Sequence, residues 1–123
     1  MEKQSNYRVI VSERAKQMLV SHAAFLAQVS PEAAERLTVE FEKAANSLET
    51  MPQRCTWFSG KHIPQHTYRF ILFEKRYMLL FQIVDNTVYA DYVVDCRQDY
   101  SWLKVSNKSE FENHKIMSDY CSP

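Results

Sequence analysis

The sequence predicts an α+β domain in which a helical hairpin packs on one face of a four-stranded, mainly antiparallel sheet, in the order β-α-α-β-β-β. Three observations predict it. A short opening run sets Tyr7, Val9 and Val11 at a period of two; two stretches with helical apolar spacing follow, each behind a serine; and three aromatic and β-branched runs come next, divided by polar pairs.

The opening run places Tyr7, Val9 and Val11 on one face and Arg8 and Ile10 on the other, the pattern of a short strand. Ser12 offers a side-chain oxygen to the free N–H groups of a helix start, and Ala15, Met18, Leu19, His22, Leu26 and Val29 recur at helical spacing. This predicts a helix over roughly residues 13–28. Ser30-Pro31 repeats the start signal, with proline at the first helical position, where its missing N–H costs nothing. Ala34, Leu37, Phe41, Ala44, Ala45 and Leu48 form the second apolar stripe, which ends before Met51-Pro52. The short link makes the two helices an antiparallel hairpin.

Residues 52–66 hold two prolines, the only glycine and no sustained period, so they read as a loop. The runs Thr67–Glu74, Arg76–Val84 and Thr87–Asp95 then form a meander, with turns at Glu74-Lys75 and Asp85-Asn86. A two-residue loop at the second turn sets Ile83 against Val88, Phe81 against Ala90, Leu79 against Tyr92 and Tyr77 against Val94. A two-residue loop at the first turn brings Leu72, Phe70 and Tyr68 to the same side. The opposite face then carries Arg69, Ile71, Phe73, Met78, Leu80, Gln82, Tyr89, Asp91 and Val93, too polar for a core and too apolar for bare solvent. On this register Ile71, Met78, Leu80 and Val93 form an apolar strip that a partner is expected to cover. Residues 1–103 are expected to make the domain, and 104–123 a tail or a short docked helix.

Composition narrows the function. The chain has 123 residues, 46% hydrophobic and 24% charged, the profile of one globular domain. Gly60 alone cannot build a Gly-rich phosphate loop. The longest strongly apolar runs, such as Met78-Leu79-Leu80-Phe81, are four residues, far below the ~20 that cross a bilayer, so no membrane is expected as a partner. The start MEKQSNYRVIV lacks the apolar core of a secretory signal, and Cys55, Cys96 and Cys121 match neither a disulfide framework nor a zinc site, so a cytoplasmic location is expected. Fifteen basic and fifteen acidic residues leave no global field to attract a polyanion, which would have to meet a local basic patch.

His62 and His66 have the spacing of helical metal ligands, but Pro64 between them removes the shared helical face, so no metal or cofactor is expected. His22 lies on the apolar stripe of the first helix and reads as a core or boundary histidine, and His114 stands in the tail. No Ser or Cys sits in a nucleophile-elbow context. One polar set stands out: Arg69, Arg97, Tyr100 and His66. Arginine stabilises a pentavalent phosphate and His or Tyr moves protons, so this set has the chemistry for metal-independent RNA cleavage. The plainer reading pairs Arg69 with Asp91 and Arg97 with Asp95 or Asp99, and packs the Tyr100 ring.

The opening YRVIVSERAKQML, the second-helix SPEAAERLTVEFEKAANSLETMP, the hairpin YRFILFEKRYMLLFQIVDNTVYADYVV and the closing CRQDYSWL together resemble the RelE/ParE toxin superfamily of bacterial type II toxin–antitoxin systems, over about residues 7–103. The resemblance implies a toxin held inactive by a cognate antitoxin from an adjacent gene, as a homodimer or a toxin–antitoxin heterotetramer. ParE-like members, to which the plasmid-stabilisation proteins are related, poison DNA gyrase; RelE-like members cut mRNA on the ribosome. RelE-like nucleases carry arginine after the aromatic residue of the third strand, where this chain has Met78 after Tyr77, and they are strongly basic. Arg97-Gln98-Asp99 looks like the closing motif of ParE. The ParE-like branch is therefore favoured, a gyrase inhibitor without catalysis that would use Arg97, Tyr100 and Trp102 as target contacts. The alternatives are a RelE-like endoribonuclease using Arg69, Arg97, Tyr100 and His66, and a degenerate toxin that binds only its antitoxin.

Overall fold

The computed structural model describes residues 6–98 and Leu103. Strand β1 (Arg8–Val11) leads into helices α1 (Glu13–Ala27) and α2 (Pro31–Ser47). A 3-10 turn (Pro52–Arg54) precedes the short β2 (Thr56–Trp57), and β3 (Arg69–Phe73), β4 (Tyr77–Val84) and β5 (Thr87–Asp95) complete the sheet. The spatial order is β1-β5-β4-β3-β2, with β1 parallel to β5 and the other pairs antiparallel. The sheet thus has five strands instead of the expected four. The added strand is two residues long and lies in a segment whose prolines and glycine signal a loop.

Both helix starts form as their sequences dictate. Ser12 and Ser30 are extended, and their hydroxyls accept from Ala15 N and Ala33 N at 3.0 and 3.2 Å, each satisfying one orphan donor. Ala15 and Leu19 of α1, with Leu37, Phe41, Ala44 and Ala45 of α2, bury their stripes against Phe73, Tyr77, Leu79, Phe81, Val88, Ala90 and Val93 of the sheet.

The register differs from the expected one at two places. Phe73 pairs with Tyr77, so the β3–β4 loop is the three residues Glu74-Lys75-Arg76, the first two left-handed with φ of 50° and 70°. In β5, the partner of β4 jumps from Ala90 at Phe81 to Tyr92 at Leu80, which leaves Asp91 as the extra residue of a bulge. Each change moves every side chain beyond it to the other face. Phe73, Ile71 and Val93 therefore join the helix side. Tyr68, Phe70, Tyr92 and Val94 leave it and pack with Met78 and Leu80.

The second face is consequently a core of its own. Phe58 and Ile63 from the long loop, and Leu103 beyond β5, close over Tyr68, Met78, Leu80, Tyr92 and Val94. Gly60 sits where a Cβ would come within 2.7 Å of the Phe58 ring and 3.0 Å of Ile63, so a larger residue here would push on the two side chains that this loop lays on the sheet. The expected strip of Ile71, Met78, Leu80 and Val93 does not exist as one surface. Ile71 and Val93 face the helices, Met78 and Leu80 face away, and all but the half-buried Ile71 are buried. The tail, residues 104–123, lies outside the described residues. Among the described residues no helix is long and apolar enough to cross a membrane.

Candidate functional site

The polar residues singled out by sequence divide between the two ends of the sheet. Arg69 opens β3 and pairs across to Phe81, which pairs with Ala90. Arg97 lies two residues past the end of β5, whose five residues beyond Ala90 rise ~17 Å along the sheet. The four-residue set expected for RNA cleavage is therefore not assembled from its described members. Tyr100 and Trp102 lie outside the described residues.

At the β3 end, Trp57 is the register partner of Arg69, so both project from one face at the sheet edge. The Arg69 guanidinium lies 3.9 Å from the centre of the Trp57 ring, and its Nη1 donates to the carbonyls of Gln53 and Cys55 at 2.9 and 2.8 Å. The expected pairing of Arg69 with Asp91 is absent. His66 leans on the same indole at 4.9 Å between ring centres, in a left-handed conformation (φ 62°) that a side-chain-bearing residue seldom adopts. Arg69, His66 and Trp57 border a cleft of about 410 Å³, with Gln53, Thr67 and Gln82 along its walls. Beside it, burial pushes the Cys55 thiol up against the opposing pull of Arg54 and Arg69.

At the β5 end, Arg97 is gripped by Asp95. The carboxylate accepts from Arg97 N at 2.9 Å, Nε at 3.3 Å and Nη2 at 3.1 Å, while most of the arginine side chain faces solvent. Burial works to raise the Asp95 carboxyl, but the side-chain and backbone hydrogen bonds from Arg97, with the charges of Arg97 and Arg76, outweigh it and hold the group below its ordinary value. The bonds to Asp95 push the Arg97 guanidinium up in turn, so it stays charged and cannot exchange protons. Among the described residues this end of the sheet presents a solvent-facing guanidinium suited to contact.

A third constellation carries no sequence signal. Asp91, fully buried at the bulge, accepts from Arg14 Nη2 at 2.7 Å and from the Tyr68 hydroxyl at 2.8 Å, and the Ser12 hydroxyl donates to its carbonyl at 3.3 Å. The Arg14 guanidinium also lies 4.5 Å over the Tyr92 ring. This network ties the start of α1 to the middle of the sheet. His22 sits on the boundary, 5.2 Å from the Tyr77 ring, with Nε2 3.2 Å from the carbonyl of Val93. Among the described residues no group of three or more His, Cys, Asp or Glu is placed to hold a metal.

A two-helix hairpin on a mixed sheet, whose last strand runs into a carboxylate-gripped arginine, has the fold class of a solved chain described as the chromosomal ParDE TA system from P. aeruginosa. The two superpose with a TM-score of 0.58 at 11% identity, over 75% of this chain and 98% of that one. No curated protein matches the sequence. The model of the family described as ParE toxin of type II toxin-antitoxin system, parDE, matches residues 9–100. The chain belongs to the ParE toxin family.

Proposed function

We propose that the chain is the toxin of a type II toxin–antitoxin module, that it acts in the cytoplasm by binding DNA gyrase, and that a cognate antitoxin from an adjacent gene neutralises it. Residues 1–103 form the toxin domain in this reading. The observation that carries it is the separation of the two arginines. A nuclease of the kind described above needs Arg69 and Arg97 on one phosphate, whereas here Arg69 is spread on Trp57 and Arg97 is clamped by Asp95 at the far end of the sheet. A binding toxin needs only a rigid, solvent-facing contact. Arg97 supplies it, with Tyr100 and Trp102 following in the chain. The match to the ParE family supports the same branch.

The test is a supercoiling assay with purified protein and no ribosomes. Gyrase should be blocked and RNA left intact, and Arg97→Ala should raise the inhibitory concentration on the order of tenfold, the loss expected for a buried interfacial arginine. Ribosome-dependent mRNA cleavage, with supercoiling untouched at equal concentration, would overturn the proposal.

A further inference from the structure

From Thr50 through Phe73 the chain contains no Asp or Glu, but it does contain Arg54, Lys61, Arg69, His62 and His66, with Trp57 as the segment's exposed aromatic ring. In a chain of zero formal net charge this is a local basic segment, and it wraps the Trp57 edge of the sheet. We propose that the cleft bordered by Trp57, His66 and Arg69 holds single-stranded nucleic acid, with a base against the Trp57 and His66 rings and its phosphate on Arg69.

The site has the parts such a ligand needs. Sequence-tolerant binding of single strands combines an aromatic platform with cations that follow the backbone. Trp57 is 40% exposed with the Arg69 guanidinium 3.9 Å over its ring, and the exposed His66 ring leans on it at 59°, so the indole and imidazole offer their remaining surface to a base. Arg69 Nη1 is anchored on two carbonyls, which fixes the guanidinium plane while Nε and Nη2 make no hydrogen bond to any described residue. Gln53 and Thr67 stand on the walls with their donors engaged by the Tyr7 hydroxyl and the Pro64 carbonyl, which leaves the Gln53 amide oxygen and the Thr67 hydroxyl lone pairs to accept from a base edge. The 410 Å³ volume is at the small end of the ~300–1,000 Å³ typical of ligand clefts, room for one base with its sugar. His66 keeps a left-handed backbone with a ring on that platform, the strain that accumulates at binding sites. An acidic peptide would use the cations but leave the ring platform without a role.

The measurement is fluorescence anisotropy of a labelled oligo-dT or oligo-U strand titrated with the full chain at low salt, a readout that involves neither gyrase nor ribosome. Binding should weaken as salt rises, and a duplex of equal length should not compete. Trp57→Ala and Arg69→Ala should each weaken binding about tenfold or more, while Trp57→Phe, which keeps a ring, should stay close to the parent. Should Arg69→Ala melt early through loss of its carbonyl bonds, His66→Ala, on an exposed residue, makes the same test. Absence of binding at low salt by folded protein, equal binding by Trp57→Ala and the parent, or displacement of the strand by poly-glutamate as effectively as by unlabelled oligonucleotide would each overturn the proposal.

Discussion

Asp91 shows what one buried carboxylate must have around it. An isolated charge in this position would be costly, but Arg14, Tyr68 and the β-bulge supply a counter-charge and a second donor at hydrogen-bond distance. Removing Asp91 takes the carboxylate away from both donors, so Asp91→Ala should cost about 3–5 kcal/mol in denaturant unfolding, while Tyr68→Phe, which removes the hydroxyl's bond to Asp91, should cost about 1–2 kcal/mol. Equal small losses in both would mean that the network is not structural. Asp95 differs because its partner Arg97 is at the surface. Its folded value is depressed, so the contact with Arg97 contributes fully above the unfolded carboxyl value of about 3.9 and is lost as pH falls through the lower folded value. In Arg97→Gln the burial remains and the main opposing bonds go. The Asp95 carboxyl should then titrate at higher pH by NMR, and acid destabilisation should begin earlier than in the parent.

At the scale of elements, β3 decides which residues form which core. The run from Tyr68 through β3 to Phe73 is apolar or aromatic at every position except Arg69, because both faces of the sheet are covered over most of its length and alternation no longer marks a solvent side. Leu72 and Phe73 therefore distinguish the two registers. Leu72 is 53% exposed and Phe73 is packed edge-on to Phe41, with ring centres 5.7 Å apart. Leu72→Lys should leave the melting temperature nearly unchanged, and Phe73→Ala should cost about 3–5 kcal/mol; the reverse ranking would restore the two-residue turn. The same ambiguity explains what the sequence made legible. Both serine caps, both helices and the three long strands were readable because their signals are local. The third loop residue, the bulge at Asp91 and the two-residue β2 depend on contacts remote in sequence, and periodicity is blind to them. In the candidate site, Arg97 with Asp95 was readable from proximity in the chain, whereas the stacking of Arg69 on Trp57 and the pairing of Asp91 with Arg14 join residues far apart in sequence.

For the whole molecule, the consequence is a sheet sandwiched between two apolar layers, with helices on one side and the loop carrying Phe58 and Ile63, together with Leu103, on the other. The two candidate sites, Arg97 and the Trp57 cleft, accordingly lie at the ends and edges of the sheet, since most of both faces is covered. A one-sided domain would tolerate change at Leu80, on the face away from the helices, and collapse only when Phe81 is cut back. Here both residues are fully buried on the central strand β4, one in each layer. Leu80→Ala should therefore cost about 2–5 kcal/mol and Phe81→Ala about 3–5 kcal/mol, each a large part of the stability of a domain this small. Leu80→Lys should unfold the protein instead of merely detaching a partner, because the ammonium would enter a layer closed by Phe58, Ile63 and Leu103. Circular dichroism melts of the three variants check this: a cooperative, near-parent transition in Leu80→Lys alongside a collapsed Phe81→Ala would mean that the second layer opens in solution and that its face is available for docking after all.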